Sequence, residues 1–119
     1  MSANKNRTVD LLCGAFDLNE RRKYTLNNGQ GKAVVDLYFK PITRSIRVRA
    51  MQTAGSEDAL KISTQLLCQV AELEDGSRAF ADGDALKLQR ELPEQVLNEI
   101  ELFLHGLQEG EEIGEIKKL

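Results

Sequence analysis

The strongest constraint on the fold is a pair of strand-like runs around a glycine-rich turn. Tyr24-Thr-Leu26 and Ala33-Val-Val-Asp-Leu-Tyr-Phe39 flank Asn27-Asn-Gly-Gln-Gly31. Both flanks are rich in β-branched and aromatic residues, which fit a pleated, half-buried surface. Asn28-Gly29 is a hairpin signal, because both central residues of a type I′ turn need φ > 0. Gly31 adds a bulge or a longer loop. The pattern predicts a β-hairpin at about 23–40, ended by Pro41, which has no amide hydrogen to donate. Two strands alone are marginal, so the rest of the chain must cover them.

That cover reads as helical. Thr43 to Ala54 is compatible with two structures. Ile46-Arg-Val-Arg-Ala50 alternates as a strand would, while Ile42, Ile46 and Ala50 fall four apart behind Thr43 as N-cap. A helix ended by Gly55 is favoured. Ser56 then opens the clearest helix as its N-cap, with Glu57 and Asp58 in the first turn, where the dipole favours acids. Ala59, Leu60, Ile62, Leu66, Leu67, Val70 and Leu73 fall on one arc, with Lys61, Gln65 and Glu72 opposite. Asp75-Gly76 ends it. Asp82 to Leu92 predicts a short helix capped by Asp82 or Asp84, with Ala85, Leu86 and Leu88 inward. Pro93 starts the last helix, whose apolar stripe is Val96, Leu97, Ile100, Phe103, Leu104 and Leu107. Leu102 lies nearly opposite that stripe. It reads either as a stray surface leucine or as a contact to another chain.

The expected architecture is therefore mainly α with an N-terminal β-hairpin (α+β), the hairpin being followed by three to four helices in a small bundle. At 119 residues the chain suits one domain. Residues 1–22 form an N-terminal arm in which Val9 to Phe16 makes either a helical turn or an extended patch. Residues 23–107 form the domain, and 108–119 read as a flexible acidic tail. No apolar run approaches the about 18 residues of a membrane span. The polar start, Met1 to Asp10, lacks the apolar core of a secretory signal. Cys13 and Cys68 match neither a disulfide framework nor a metal motif, and fit inert thiols in a reducing cytoplasm.

The net charge of −3 conceals a split. Residues 1–49 carry ten basic and four acidic side chains, or +6, and residues 50–119 carry six basic and fifteen acidic ones, or −9. Such a chain meets a charged partner, meets copies of itself head to tail, or has two solvated faces that differ.

Catalytic chemistry is scarce. His105 is the single histidine, near the end of the last helix, where a cation suits the dipole. One histidine makes a nucleophilic triad a poor expectation. There is no phosphate-loop, dinucleotide or zinc-protease motif. Asp82-Gly-Asp84 lacks the alternating ligands and closing glutamate of a calcium loop, so a helix cap suits it better. No cofactor, metal or catalytic residue is expected. Arg44, Arg47 and Arg49 with Lys40 form a basic cluster near Tyr38 and Phe39, which could track phosphates. The acidic chain as a whole argues against nucleic acid as a partner.

The order of elements resembles the tail assembly chaperones of long-tailed bacteriophages. Three stretches carry the resemblance: Val35-Asp-Leu-Tyr-Phe-Lys-Pro-Ile-Thr43 with the arginine-rich segment after it, Val70-Ala-Glu-Leu-Glu-Asp-Gly-Ser-Arg-Ala-Phe80 followed by Asp82 and Asp84, and Leu92-Pro-Glu-Gln-Val-Leu-Asn-Glu-Ile-Glu-Leu-Phe-Leu-His-Gly-Leu107. The resemblance implies a non-enzymatic assembly factor in the host bacterial cytoplasm, absent from the mature virion. It implies binding to the tape measure protein, recruitment of tail tube protein subunits, and self-association into oligomers or open spirals. It also makes Lys117-Lys118 a candidate site for ribosomal slippage into a longer form. The candidate protein-contact residues are Arg44, Arg47, Arg49, Leu102, Glu109, Glu111 and Glu112. The alternative is a small cytoplasmic adaptor or regulatory protein, with nucleic-acid binding among its possible roles.

Overall fold

The computed structural model describes residues 7–106. The elements are α1 (Thr8–Gly14), β1 (Arg22–Asn27), β2 (Ala33–Phe39), α2 (Arg44–Ala54), α3 (Ala59–Val70), α4 (Asp84–Glu91) and α5 (Glu94–His105). The expected hairpin and the helices after it are present. The reading of 108–119 as a flexible acidic tail lies outside the described residues.

Alternation sets the sheet. Tyr24 pairs with Leu37 and Leu26 with Val35 in an antiparallel register. Leu37 and Phe39 are buried, and Tyr24, Leu26 and Val35 pack against the same cluster. The other face is polar: Thr25 Oγ1 donates to Asp36 Oδ1 at 2.7 Å, and Lys23 Nζ lies 3.7 Å from Asp36 Oδ2. The turn differs from the expected type I′. Among the described residues the positive φ values belong to Gly31, Gly55, Gly76 and Gly106, so Gly29 does not adopt one. Asn28 opens the turn and its Oδ1 accepts from Gln30 N and Lys32 N. Gly31 N donates to Asn28 O at 3.0 Å, and Gly31, at φ 78°, makes the left-handed step. The register shift at Leu26/Asn27 follows, which is a type I turn closed by a glycine bulge.

The same device recurs between α3 and α4. Leu73 N donates to Ser77 O, Gly76 N donates to Leu73 O, and Gly76 has φ 88°. Asp75 Oδ1 accepts from Ser77 N as Asn28 does from Gln30 N. This second small hairpin lies against β2, with Tyr38 and Glu72 exchanging both backbone hydrogen bonds at 2.8 and 2.9 Å. The expected continuation of α3 to Asp75 is thus overturned: strand pairing at Glu72 takes the chain out of the helix at Val70. Leu73 faces solvent rather than the core.

The segment 43–54 resolves as helix. Thr43 Oγ1 accepts from Ile46 N, and left-handed Gly55 closes α2 by donating to Met51 O and Gln52 O. Ile42, Ile46 and fully buried Ala50 form the expected stripe. α3 begins later than expected. Asp58, not Ser56, is its N-cap, accepting from Leu60 N and Lys61 N, while Ser56 Oγ accepts from Asp58 N. Every residue from Ile62 to Cys68 is buried, Gln65 included, because α2, α4 and α5 all pack on α3. Leu60 is exposed. In α4 the N-cap is Gly83. Asp84 Oδ2 accepts from Ala81 N, while Asp82 holds Arg78 at 2.6 Å. Ala85 is buried and Leu88 packs on the core, but Leu86 is exposed. Pro93 is the N-cap of α5.

The assignment of Leu102 to the surface is also corrected. Leu102 is 7% exposed. α5 meets α3, α4 and β1, so its second half is covered on more than one side, and Ile100, Glu101, Leu102 and Leu104 are all buried. Phe103 faces the hairpin, with ring centroids 5.0 Å from Tyr24 and 5.8 Å from Phe39.

Candidate functional site

Helix periodicity places Glu101 and His105 one above the other on α5, four residues apart. Both turn toward the polar residues buried in the middle of α3. His105 Nε2 lies 2.9 Å from Ser63 Oγ, and His105 Nδ1 lies 3.4 Å from Arg47 Nη2 of α2. Arginine can only donate, so Nδ1 accepts and the remaining ring hydrogen sits on Nε2, donated to Ser63. Burial, reinforced by the Arg47 charge, pulls the imidazole pKa down to about 4. His105 is therefore a neutral bridge between α2, α3 and α5, rather than a cation serving the helix dipole.

Thr64 Oγ1 lies 2.7 Å from Glu101 Oε2 and 3.1 Å from the Leu60 carbonyl. One hydroxyl hydrogen cannot serve both acceptors. A proton on Glu101 resolves the conflict, since Glu101 then donates to Thr64 and Thr64 donates to Leu60. Burial drives the Glu101 pKa up to about 7, against the pull of the Thr64 and Ser63 hydroxyls. Ser63 is 2% exposed, with its hydroxyl turned to His105 inside the bundle. This arrangement can hold a proton and fix three helices. It offers no open nucleophile.

The relay ends at a cleft of about 480 Å³ on the surface. Arg22, Lys40, Arg44 and Arg47 line it, with His105 and Gly106. Three of the four cations are positioned by other contacts. Arg22 Nη2 donates to the Leu104 carbonyl at 3.1 Å, with its guanidinium 4.6 Å from the Phe103 ring centroid. Lys40 Nζ is 3.6 Å from Glu72 Oε2, and Arg47 reaches His105. Arg44 is exposed at the start of α2, whose first turn carries no acid. Cations there oppose the positive end of the helix dipole.

The expected contact residues separate accordingly. Arg44 and Arg47 meet in the cleft, Arg49 is exposed but outside its lining, and Leu102 is buried. Glu109, Glu111 and Glu112 lie outside the described residues. Phe39 is fully buried and Tyr38 sits under Arg21, 4.4 Å from its guanidinium, so neither aromatic extends the basic cluster as a stacking platform. Lys40 of the expected basic cluster also lines the cleft, whereas the Ser63–Thr64–Glu101–His105 relay and the role of Arg22 are new. A carboxylate between Ile100 and Leu102, four residues before the single histidine, was its one signal in the sequence.

A second, acid-bearing depression of about 440 Å³ lies over Glu101 and Thr64, with Asp58 and Glu94 at its edge. Among the described residues no cluster of three or more metal-ligating side chains occurs. No helix there is long and apolar enough to cross a membrane. Searches against protein-family models, curated proteins and solved structures found no match to this chain.

Proposed function

We propose that this protein is a non-enzymatic tail assembly chaperone of a long-tailed bacteriophage. In this role it binds the tape measure protein and helps to recruit tail tube subunits, associating with copies of itself in the host cytoplasm and leaving before the virion is complete. The observation that supports this reading is the N-terminal arm. Val9, Leu11, Leu12, Phe16 and Leu18 are between 50% and 73% exposed, and α1 has no buried residue. A seven-residue helix is too short to be stable alone in water. An apolar arm of this kind gains order by laying its side chains on another apolar surface, such as a long helical rod. The residue order that resembles the chaperones supplies the identity of that rod.

The test is co-expression with the longest predicted helical reading frame encoded downstream of this one. A soluble complex is expected, lost in the triple variant Leu11→Ser, Leu12→Ser, Phe16→Ser, whose melting temperature should match the parent because these side chains touch no core. Failure to form the complex, together with a strict monomer at high concentration and low salt, overturns the reading.

A further inference from the structure

The basic cleft lies where the described chain ends. Gly106 is part of its lining, and at φ 73° it turns the backbone out of α5. Residues 107–119 carry Glu109, Glu111, Glu112 and Glu115 against Lys117 and Lys118, and the four acids come first, nearest to Gly106. Four cations face the cleft, and its described lining holds no carboxylate; Lys40 reaches Glu72, which is not part of that lining. We propose that the acidic segment 108–119 of the same chain docks in the cleft formed by Arg22, Lys40, Arg44 and Arg47.

Three physical arguments select this occupant. Reach is sufficient: Glu109 is three residues beyond Gly106, and at roughly 3.3–3.6 Å per residue its backbone extends about 10 Å. Charge is complementary, and carboxylates brought to the start of α2 relieve two arginines set against the helix dipole. The tether is short, which gives an effective concentration on the order of millimolar, so the chain's own segment outcompetes that of a second copy at ordinary protein concentrations. The docking is intramolecular and does not depend on the assembly role.

Zero-length carbodiimide cross-linking of the full chain tests it, because the reagent joins Lys40 to a carboxylate only in direct contact. Equal amounts of unlabelled and 15N-labelled protein are mixed and the joined peptides are read by mass. Lys40 should be linked to Glu109, Glu111, Glu112 or Glu115 within single-isotope species. Those links should fall about tenfold in Arg44→Glu, and again between about 0.05 and about 0.5 M salt. The Lys40–Glu72 link is the internal reference and should persist in Arg44→Glu, since Arg44 is not a member of that ion pair. Mixed-isotope links would place a second copy's segment in the cleft and overturn the proposal. So would the absence of links, or links indifferent to Arg44→Glu, which would mark mere proximity.

Discussion

Glu101 is the residue whose surroundings most conflict with its charge. It sits between Ile100 and Leu102, both buried, with its Oε2 2.7 Å from a Thr64 hydroxyl whose one hydrogen is also within reach of the Leu60 carbonyl, so a proton on Glu101 is needed to satisfy both contacts. Its carboxyl titrates at about 7 in the fold, against 4.5 when unperturbed. Between those values the folded state holds the proton that the unfolded chain has released, so this group makes stability fall as pH rises, with the loss complete above about 7. His105 acts in the opposite sense: its folded pKa of about 4 lies below the ordinary 6.5, and stability falls as pH drops through that window. Glu101→Gln isolates the first effect, because the histidine contribution is common to both proteins. Urea unfolding at pH 5 and pH 8 should show the variant gaining on the parent by up to about 3 kcal/mol over that interval. A pH-independent difference would show that Glu101 is solvated. The cysteines give a second residue-scale prediction. Cys13 is exposed, whereas Cys68 is buried, its thiol pushed up to about 12 by desolvation with Asp84 adding to it. A thiol reagent at pH 8 should modify one cysteine promptly and the second only after denaturant is added.

At the scale of elements, two turns of the same construction frame β2. Gly31 and Gly76 each take the left-handed step that an L side chain resists, while Gly29 does not. Gly31→Ala and Gly76→Ala should each cost about 1 kcal/mol of unfolding free energy, with Gly29→Ala within about 0.5 kcal/mol of the parent. A type I′ turn would invert the order of Gly29 and Gly31. The hairpin was legible because its alternation is local: 35, 37 and 39 inward and 34, 36 and 38 outward need only one covered face. α2 was legible through Thr43 and Gly55, which mark both ends chemically. α3 was not, in two respects. A helix packed by three others has no outer face along its middle, so assigning Gln65 to solvent from periodicity failed; its Nε2 instead donates to the Asp82 carbonyl at 2.9 Å. Its end is set by pairing between Glu72 and Tyr38, residues 34 positions apart, which no window along the chain contains. Leu102 failed for the first of these reasons.

For the whole molecule, the split of +6 and −9 is in part neutralised inside the monomer. Arg21 donates to the Leu73 and Glu74 carbonyls and approaches Glu72 at 3.4 Å, and Lys40 reaches the same carboxylate. Basic and acidic halves therefore clasp each other before they can clasp a neighbour. That shifts the weight of any association from charge to apolar surface, and the fold sorts its leucines into two populations accordingly. Leu102, at 7% exposure, belongs to the folding core, whereas Leu12, at 61%, belongs to a helix with no buried residue. Leu102→Ala should lower unfolding free energy by about 2–4 kcal/mol, the usual cost of a core cavity. It should leave association unchanged wherever the variant remains folded. Leu12→Ser should stay within about 0.5 kcal/mol of the parent and reduce association. Chemical denaturation reads the first quantity, and light scattering across a concentration series reads the second. If Leu102→Ala proves neutral for stability, α5 is not enclosed as described. If Leu12→Ser destabilises the fold by several kcal/mol, the arm is part of the domain, and its apolar face is not available to a partner.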